Sequence, residues 1–95
     1  MRLKKQEVEI IKDVILTIFN GATIYLFGSR VDDTKKGGDI DLFVISSATN
    51  LFEKKIKALS KLKRALHKPV DIVIHKDFNR VIEQEALKGI NLSAI

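Results

Sequence analysis

Two aspartates separated by one residue open an apolar run, in the segment Gly38-Asp39-Ile40-Asp41-Leu42. Residues two apart on a β-strand point to the same side, so Asp39 and Asp41 are predicted to face one pocket together. Two like charges roughly 6–7 Å apart along a strand gain nothing for folding, and a divalent cation bound between them would offset that cost. The spacing therefore predicts a metal site.

A glycine-serine turn, Gly28-Ser29, ends the preceding apolar run and is followed by Arg30. Backbone N–H groups at such a turn and the Ser29 hydroxyl are suited to hold phosphate oxygens. The Arg30 guanidinium adds a fork of further donors. Turns of this kind are common, so the turn alone is weak evidence. The sequence contains neither the phosphate loop of the ATPases nor the glycine-rich loop of the kinases.

A third acid, Asp71, is the second residue of a later predicted strand. A short connection makes strands one and two antiparallel, whereas a helical crossover makes strands two and three parallel. Asp71 is therefore expected at the same end of the sheet as Asp39 and Asp41. Carboxylate oxygens favour Mg²⁺ or Mn²⁺, and two ions about 3.5–4 Å apart suit an in-line displacement at phosphorus. Taken alone, Asp71 is as readily explained by a structural role as by a functional one.

Apolar periodicity supplies the elements that position these residues. It predicts helices over residues 3–19, from an Asn50 cap to Leu66, and from an Asp77 cap to Leu87. Strands are predicted at Thr23–Phe27, Ile40–Ile45 and Val70–Ile74. The order αββαβα predicts one α/β domain, residues 1–95, with helices packed on a mixed sheet of three or four strands. The tail from residue 90 is expected to add a short edge strand or to dock on a partner.

The same periodicity predicts which side chains are buried. The buried stripe of the second helix is predicted to contain Phe52, Ile56, Leu59, Leu62 and Leu66. Most aromatic side chains are expected on apolar faces, which leaves no visible platform for stacking bases. The two histidines, His67 and His75, are expected to have surface or helix-end roles.

The composition limits the class of protein. Hydrophobic residues make up 45% of the chain and charged residues 31%, which is typical of a globular domain. No apolar run approaches the ~20 residues of a membrane span, and there is no cysteine, so a cytoplasmic setting is expected. The net charge of +5 suits an acidic partner, although much of it is expected to be a solvated helix face.

Three segments together resemble a known superfamily: Leu26-Phe27-Gly28-Ser29-Arg30, Gly38-Asp39-Ile40-Asp41-Leu42 and Val70-Asp71-Ile72-Val73. They resemble the nucleotidyltransferases that include DNA polymerase beta and kanamycin nucleotidyltransferase. The resemblance is closer to the small prokaryotic branch, the minimal nucleotidyltransferases (MNT), and it covers nearly the whole chain.

The resemblance implies an activity. Gly28 and Ser29 would hold the β- and γ-phosphates of a nucleoside triphosphate, which the resemblance implies is ATP, with help from the Arg30 side chain. Two Mg²⁺ ions would be bound by the paired aspartates, Asp39 and Asp41. The third aspartate would join one ion and help to deprotonate an acceptor hydroxyl, which attacks the α-phosphorus as pyrophosphate leaves.

The resemblance also implies a partner. Members of this branch are often encoded beside a HEPN-domain protein, in an arrangement that resembles a toxin–antitoxin system. The MNT protein transfers AMP onto a tyrosine of the HEPN ribonuclease and silences it. A hetero-oligomer with a HEPN protein is therefore expected.

Two other functions compete with this one. The chain could be a non-catalytic binding module that neutralises its partner sterically, but a structural copy has no need of all three acids. The basic charge could also indicate a nucleic-acid binder. Without a stacking platform, nucleic-acid binding by this chain alone is not expected.

Overall fold

The helices and strands follow the predicted order. The computed structural model describes residues 3–28 and 39–95. Its elements are α1 (Lys5–Phe19), β1 (Thr23–Phe27), β2 (Ile40–Ile45), α2 (Leu51–Leu66), β3 (Val70–Ile74), α3 (Val81–Leu87), β4 (Ile90–Asn91) and a final 3-10 turn (Leu92–Ala94). Within the described ranges, no helix has both the length and the apolar character needed to cross a membrane. The α/β class is confirmed.

The four strands form one mixed sheet in the order β3-β2-β1-β4. As predicted, β1 and β2 are antiparallel and β2 and β3 are parallel. The tail forms the short edge strand β4, which pairs antiparallel with β1. The register places Asp41 opposite both Phe27 of β1 and Asp71 of β3.

One face of the sheet carries the main core, against α1 and α2. Alternate strand residues point into it and are fully buried, including Ile24, Leu42 and Ile72. At the entrance to α1, Glu7 accepts a hydrogen bond from the Lys4 backbone N–H at 3.0 Å and pairs with Lys68 at 2.6 Å. Burial raises the pKa of Glu7, but the bonds and charges of Lys68 and Lys4 outweigh it and lower that pKa.

The opposite face is covered at one end by α3. Phe43 is fully buried there, and its ring contacts those of Tyr25 and His75, with centroids 6.2 and 6.4 Å away. Ala86 of α3 is fully buried as well. The strand residues of this face continue toward Asp41 and Asp71, so α3 covers one end and leaves the carboxylates at the other.

The predicted buried stripe of α2 is partly wrong. Phe52 is 74% exposed and Ile56 is 52% exposed, whereas Ala58 is fully buried together with Leu62. Each residue turns an α-helix by about 100°, so Ile56 lies about 200° around the axis from Ala58. The helix presents a row of residues four apart to the core, with a small alanine in it. The prediction favoured the larger side chains.

The predicted start of α2 after Asn50 is confirmed, whereas the predicted start of α3 needs correction. Asn50 precedes α2 with a left-handed backbone, φ 54°, and its side chain makes no capping hydrogen bond. Helix α3 begins at Val81, after Arg80, and not directly after Asp77. The Asp77 carboxylate instead accepts a hydrogen bond from the Asn79 N–H at 2.9 Å, which stabilises a local turn.

Candidate active site

The three predicted acids meet at one end of the sheet. Asp41 and Asp71 are paired residues on the adjacent parallel strands β2 and β3, so their side chains lie on the same face. Asp39 immediately precedes β2 and is two residues from Asp41. Asp39 and Asp71 are exposed and Asp41 is half-buried. The predicted convergence is present, while the chemical role of each acid stays a prediction.

The electrostatics of this group are unfavourable. Burial raises the pKa of Asp41, and the negative charges of Asp39 and Asp71 raise it further. The ion pairs within residues 3–28 and 39–95 involve none of these three side chains. The fold therefore brings like charges together without a described cation to neutralise them.

Gly28 fits closely against this group. It follows β1 with φ +78°, a conformation that glycine adopts without strain. A Cβ atom added there would lie 2.5 Å from Oδ2 of Asp41, far inside contact distance. Only a glycine lets the backbone turn approach the Asp41 carboxylate this closely.

One oxygen of Asp71 is already fixed. Its Oδ1 accepts a hydrogen bond from the backbone N–H of the next residue, Ile72, at 2.9 Å. This bond sets the direction of the carboxylate.

The donor set fits a hard divalent cation. Mg²⁺ is usually bound by one or two carboxylates together with substrate phosphates, rather than by a complete protein cage. Accordingly, the His, Cys, Asp and Glu side chains of the described ranges include no group of three spaced to hold one ion by themselves. Asp39 and Asp41 supply the expected oxygens, and a cation would relieve the repulsion that raises the pKa of Asp41.

The predicted phosphate-binding turn is described only in part. Ser29 and Arg30 lie outside the described residues. Their predicted contacts with phosphates therefore stay predictions. Gly28 is the one member of that motif whose position is described.

Sequence reasoning missed a further carboxylate outside this group, Glu83 of α3, which is fully buried. It accepts hydrogen bonds from Nδ1 of His75 at 2.6 Å, from the N–H groups of Lys76 and Asp77, and from Arg80 at 3.0 Å. Burial raises the pKa of Glu83, but the hydrogen bonds from His75, Asp77 and Lys76, with His75 the strongest, outweigh burial and lower that pKa to about 2.

The helical spacing of α3 could have revealed that Glu83 is buried. Glu83 lies three residues before Ala86, so both face the same side of α3, and both are fully buried. His75, predicted to have a surface or helix-end role, is half-buried beside Glu83 and stacks on Phe78 at 3.9 Å. His67 does cap the end of α2, as predicted.

Comparisons with known proteins agree with the fold. A family model described as polymerase beta, nucleotidyltransferase, matches residues 9–94. No curated protein sequence matches the chain. A solved complex of a tri-AMPylated Shewanella oneidensis HEPN toxin with an MNT antitoxin contains a similar chain, at a TM-score of 0.75 and 24% identity. That match covers 95% of this chain and 71% of the other.

Another similar structure is a toxin–antitoxin complex of the MntA–HepT type that carries two aspartate-to-glutamate substitutions. It matches at a TM-score of 0.75 and 28% identity, over 90% of this chain and 71% of the other. A third structure, from Shewanella oneidensis, matches at a TM-score of 0.72 and 19% identity, over 92% of this chain and 68% of the other. The likenesses below 25% identity establish the fold alone.

Proposed function

Because this chain belongs to the polymerase beta family of nucleotidyltransferases, we propose that it transfers AMP from ATP to a hydroxyl group of a partner protein. The observation that carries the proposal is the pairing of Asp41 with Asp71 across adjacent strands, with Asp39 two residues away. Three acids gathered at the cost of mutual repulsion are explained by a site that binds cations and phosphates.

The side chains divide the work. The Asp71 carboxylate receives the proton of the acceptor hydroxyl through Oδ2, because Oδ1 is held by the Ile72 N–H. The hydroxyl oxygen forms a bond to the α-phosphorus of ATP, the bond from that phosphorus to the β-phosphate oxygen breaks, and pyrophosphate leaves. Gly28, Ser29 and Arg30 hold the two departing phosphates.

Asp39 and Asp41, with Asp71 beside them, are the residues that would hold Mg²⁺, as two ions, or Mn²⁺ in its place. When bound, these cations would neutralise the charge on the attacking and leaving oxygens. Without a cation, the three carboxylates would repel a triphosphate. We therefore expect ATP binding to depend on the divalent cation.

We further propose that the partner is a HEPN-domain protein and that the setting is a cytoplasmic toxin–antitoxin pair. Two of the similar solved structures support this, because each is a complex of an antitoxin with its toxin. In one of these complexes the HEPN toxin is tri-AMPylated. The basic charge of +5 suits an acidic partner surface.

The test uses ATP labelled at the α-phosphate, Mg²⁺, this chain and a HEPN-domain protein as the proposed partner. We expect label on the HEPN protein, and none with the double variant Asp39→Ala/Asp41→Ala. Label that persists with the double variant would overturn the site assignment.

A complex that forms, neutralises the HEPN protein and yields no label under any condition would identify the chain as a steric binding module. The same experiment thus separates catalysis from binding. Mass spectrometry of the labelled protein identifies the accepting residue, which we expect to be a tyrosine.

A further inference from the structure

The edge of the sheet lies beside the three acids. β3 is the last strand in the order of the described sheet. The Pro69 carbonyl accepts a hydrogen bond from the Ile40 N–H of β2, and the His75 N–H donates one to the Val44 carbonyl of β2, each at 2.9 Å. In a parallel ladder every second residue faces the same neighbour. The intervening residues Val70, Ile72 and Ile74 therefore direct their backbone groups away from β2.

The Asp71 carboxylate occupies one of the outward-facing backbone donors of this edge. The outward N–H of Ile72 is taken by Oδ1 of Asp71 at 2.9 Å. The next outward groups are the carbonyl of Ile72 and the N–H and carbonyl of Ile74. A strand added to this edge would pair with these groups and would therefore begin next to Asp71.

A groove of about 320 Å³ follows the same edge, from Asp71 to Lys76. The exposed ring of Phe52, at the start of α2, forms an apolar part of its wall. Lys55, Lys76 and Arg80 also line it, so the lining side chains carry three positive charges and a single carboxylate, that of Asp71. The sequence predicted a buried Phe52, and its exposed ring instead supplies apolar surface to this groove.

We propose that the acceptor binds as an extended, acidic protein segment that adds a strand to the edge of β3 and brings its hydroxyl to Asp71. Main-chain hydrogen bonds to Ile72 and Ile74 supply affinity, as in other cases of strand addition. Lys55 and Lys76 select acidic side chains, since Arg80 is already bound to Glu83 at 3.0 Å. The transfer to the hydroxyl rests on the proposed function, whereas the docking does not.

The dimensions agree with a short segment. The five residue steps from Asp71 to Lys76 span roughly 17 Å at about 3.3 Å per residue. A segment of about six residues would fill the groove. Lysines at a sheet edge also serve to prevent self-association, and that role requires no bound segment.

The binding test uses a short fluorescein-labelled peptide in which glutamates alternate with valines around one central tyrosine. We expect fluorescence anisotropy to show binding at least about tenfold tighter than for a peptide with lysine in place of glutamate. N-methylation of alternate peptide amides should abolish binding in one register and spare it in the other. Absence of binding, or equal effects in both registers, would overturn the proposal.

Charge reversal locates the binding site. The double variant Lys55→Glu/Lys76→Glu should invert the preference between the acidic and basic peptides. The matched control Lys57→Glu/Lys61→Glu changes the net charge by the same amount. These two lysines are exposed on α2 and do not line the groove. If the control weakens binding as much as the groove variant does, the attraction is general and the groove is not the site.

Transfer of AMP separates this proposal from the proposed function. We expect KM for the HEPN protein to rise at least about tenfold in the groove variant, with ATP-dependent stabilisation unchanged. An unchanged KM, with Asp39→Ala/Asp41→Ala inactive, would overturn the docking alone. Activity that survives in the aspartate variant would overturn the proposed function, and the peptide binding would still test the groove.

Discussion

The three aspartates and the buried Glu83 lie near opposite ends of β3, and their surroundings differ in kind. At one end, burial and neighbouring charge raise the pKa of Asp41. At the other end, Glu83 accepts hydrogen bonds from four donors, and those from His75, Asp77 and Lys76 outweigh burial and lower its pKa to about 2. Among the described residues the first group has no ion-pair partner, while the second uses its charge to join β3 to α3.

The difference shows that burial alone does not identify a functional acid. Glu83 is more deeply buried than Asp41, yet hydrogen-bond donors from neighbouring residues of the fold satisfy its carboxylate. Asp41 is only half-buried and is set against like charges. An acid whose environment disfavours its charged form is the better candidate for binding a cation.

The largest expected effect is on activity, at the unsatisfied end. Asp41→Asn should lower AMP transfer by more than about 100-fold, since even the partners that orient a metal ligand are worth about 10–100-fold. The same change should leave the melting temperature unchanged or raise it, because it removes a repulsive charge. Initial rates and thermal melts measure both effects.

Asp13→Asn, on the exposed side of α1, is the matched control for that change and should alter neither quantity. Should Asp41→Asn destabilise the fold by more than about 1 kcal/mol, the site would be structural in the manner of Glu83. The contrast between the two ends would then disappear.

The next effect is on stability, at the satisfied end. Glu83→Ala leaves buried donors without an acceptor and should lower the free energy of unfolding by about 3 kcal/mol. The exposed neighbour Glu85, which pairs with Lys88 at 3.3 Å, serves as control, and Glu85→Ala should cost less than about 0.5 kcal/mol. Urea unfolding compares them. Equal losses would mean that the Glu83 cluster stabilises nothing.

Acid should weaken the same end. The folded-state pKa of Glu83 lies below its ordinary value, so its contribution to stability is complete above pH 4.5 and is lost as pH falls toward about 2. In Glu83→Gln this part of the acid-induced loss should be missing. Urea unfolding at several pH values across that window measures it, and parallel curves for the two proteins would contradict the assignment.

The smallest effect concerns two glycines with the same backbone. Gly21 and Gly28 both have φ +78°, but a Cβ at Gly21 meets nothing within 4 Å whereas one at Gly28 meets Asp41 at 2.5 Å. Each alanine substitution should cost about 1 kcal/mol for the backbone strain. Gly28→Ala should also displace the Asp41 carboxylate and lower AMP transfer, while Gly21→Ala should not. Equal transfer rates would show that the close approach has no function.

Features set by local spacing were predictable from the sequence. The paired aspartates, the strand bounds and the parallel crossover that brings Asp71 to Asp41 follow from period and connection length alone. The rotation of α2 was not predictable, because the core accepts the small Ala58 and leaves Phe52 exposed. Tertiary packing decides which of two apolar stripes is buried.

The Glu83 cluster also escaped prediction, for a different reason. Its donors lie in the irregular connection of residues 75–80 between β3 and α3, and such a segment has no period from which its hydrogen bonds could be predicted. The groove along β3 likewise requires both the exposed Phe52 and the edge position of the strand. Features formed by several elements are apparent only once those elements are placed together.

The central claim is that Asp39, Asp41 and Asp71 act together with a divalent cation to bind a triphosphate. The most direct measurement is the shift in melting temperature that ATP produces with and without Mg²⁺. The account predicts stabilisation only when both are present, and its loss in Asp41→Asn. Equal shifts with and without Mg²⁺, or an undiminished shift in the variant, would contradict it.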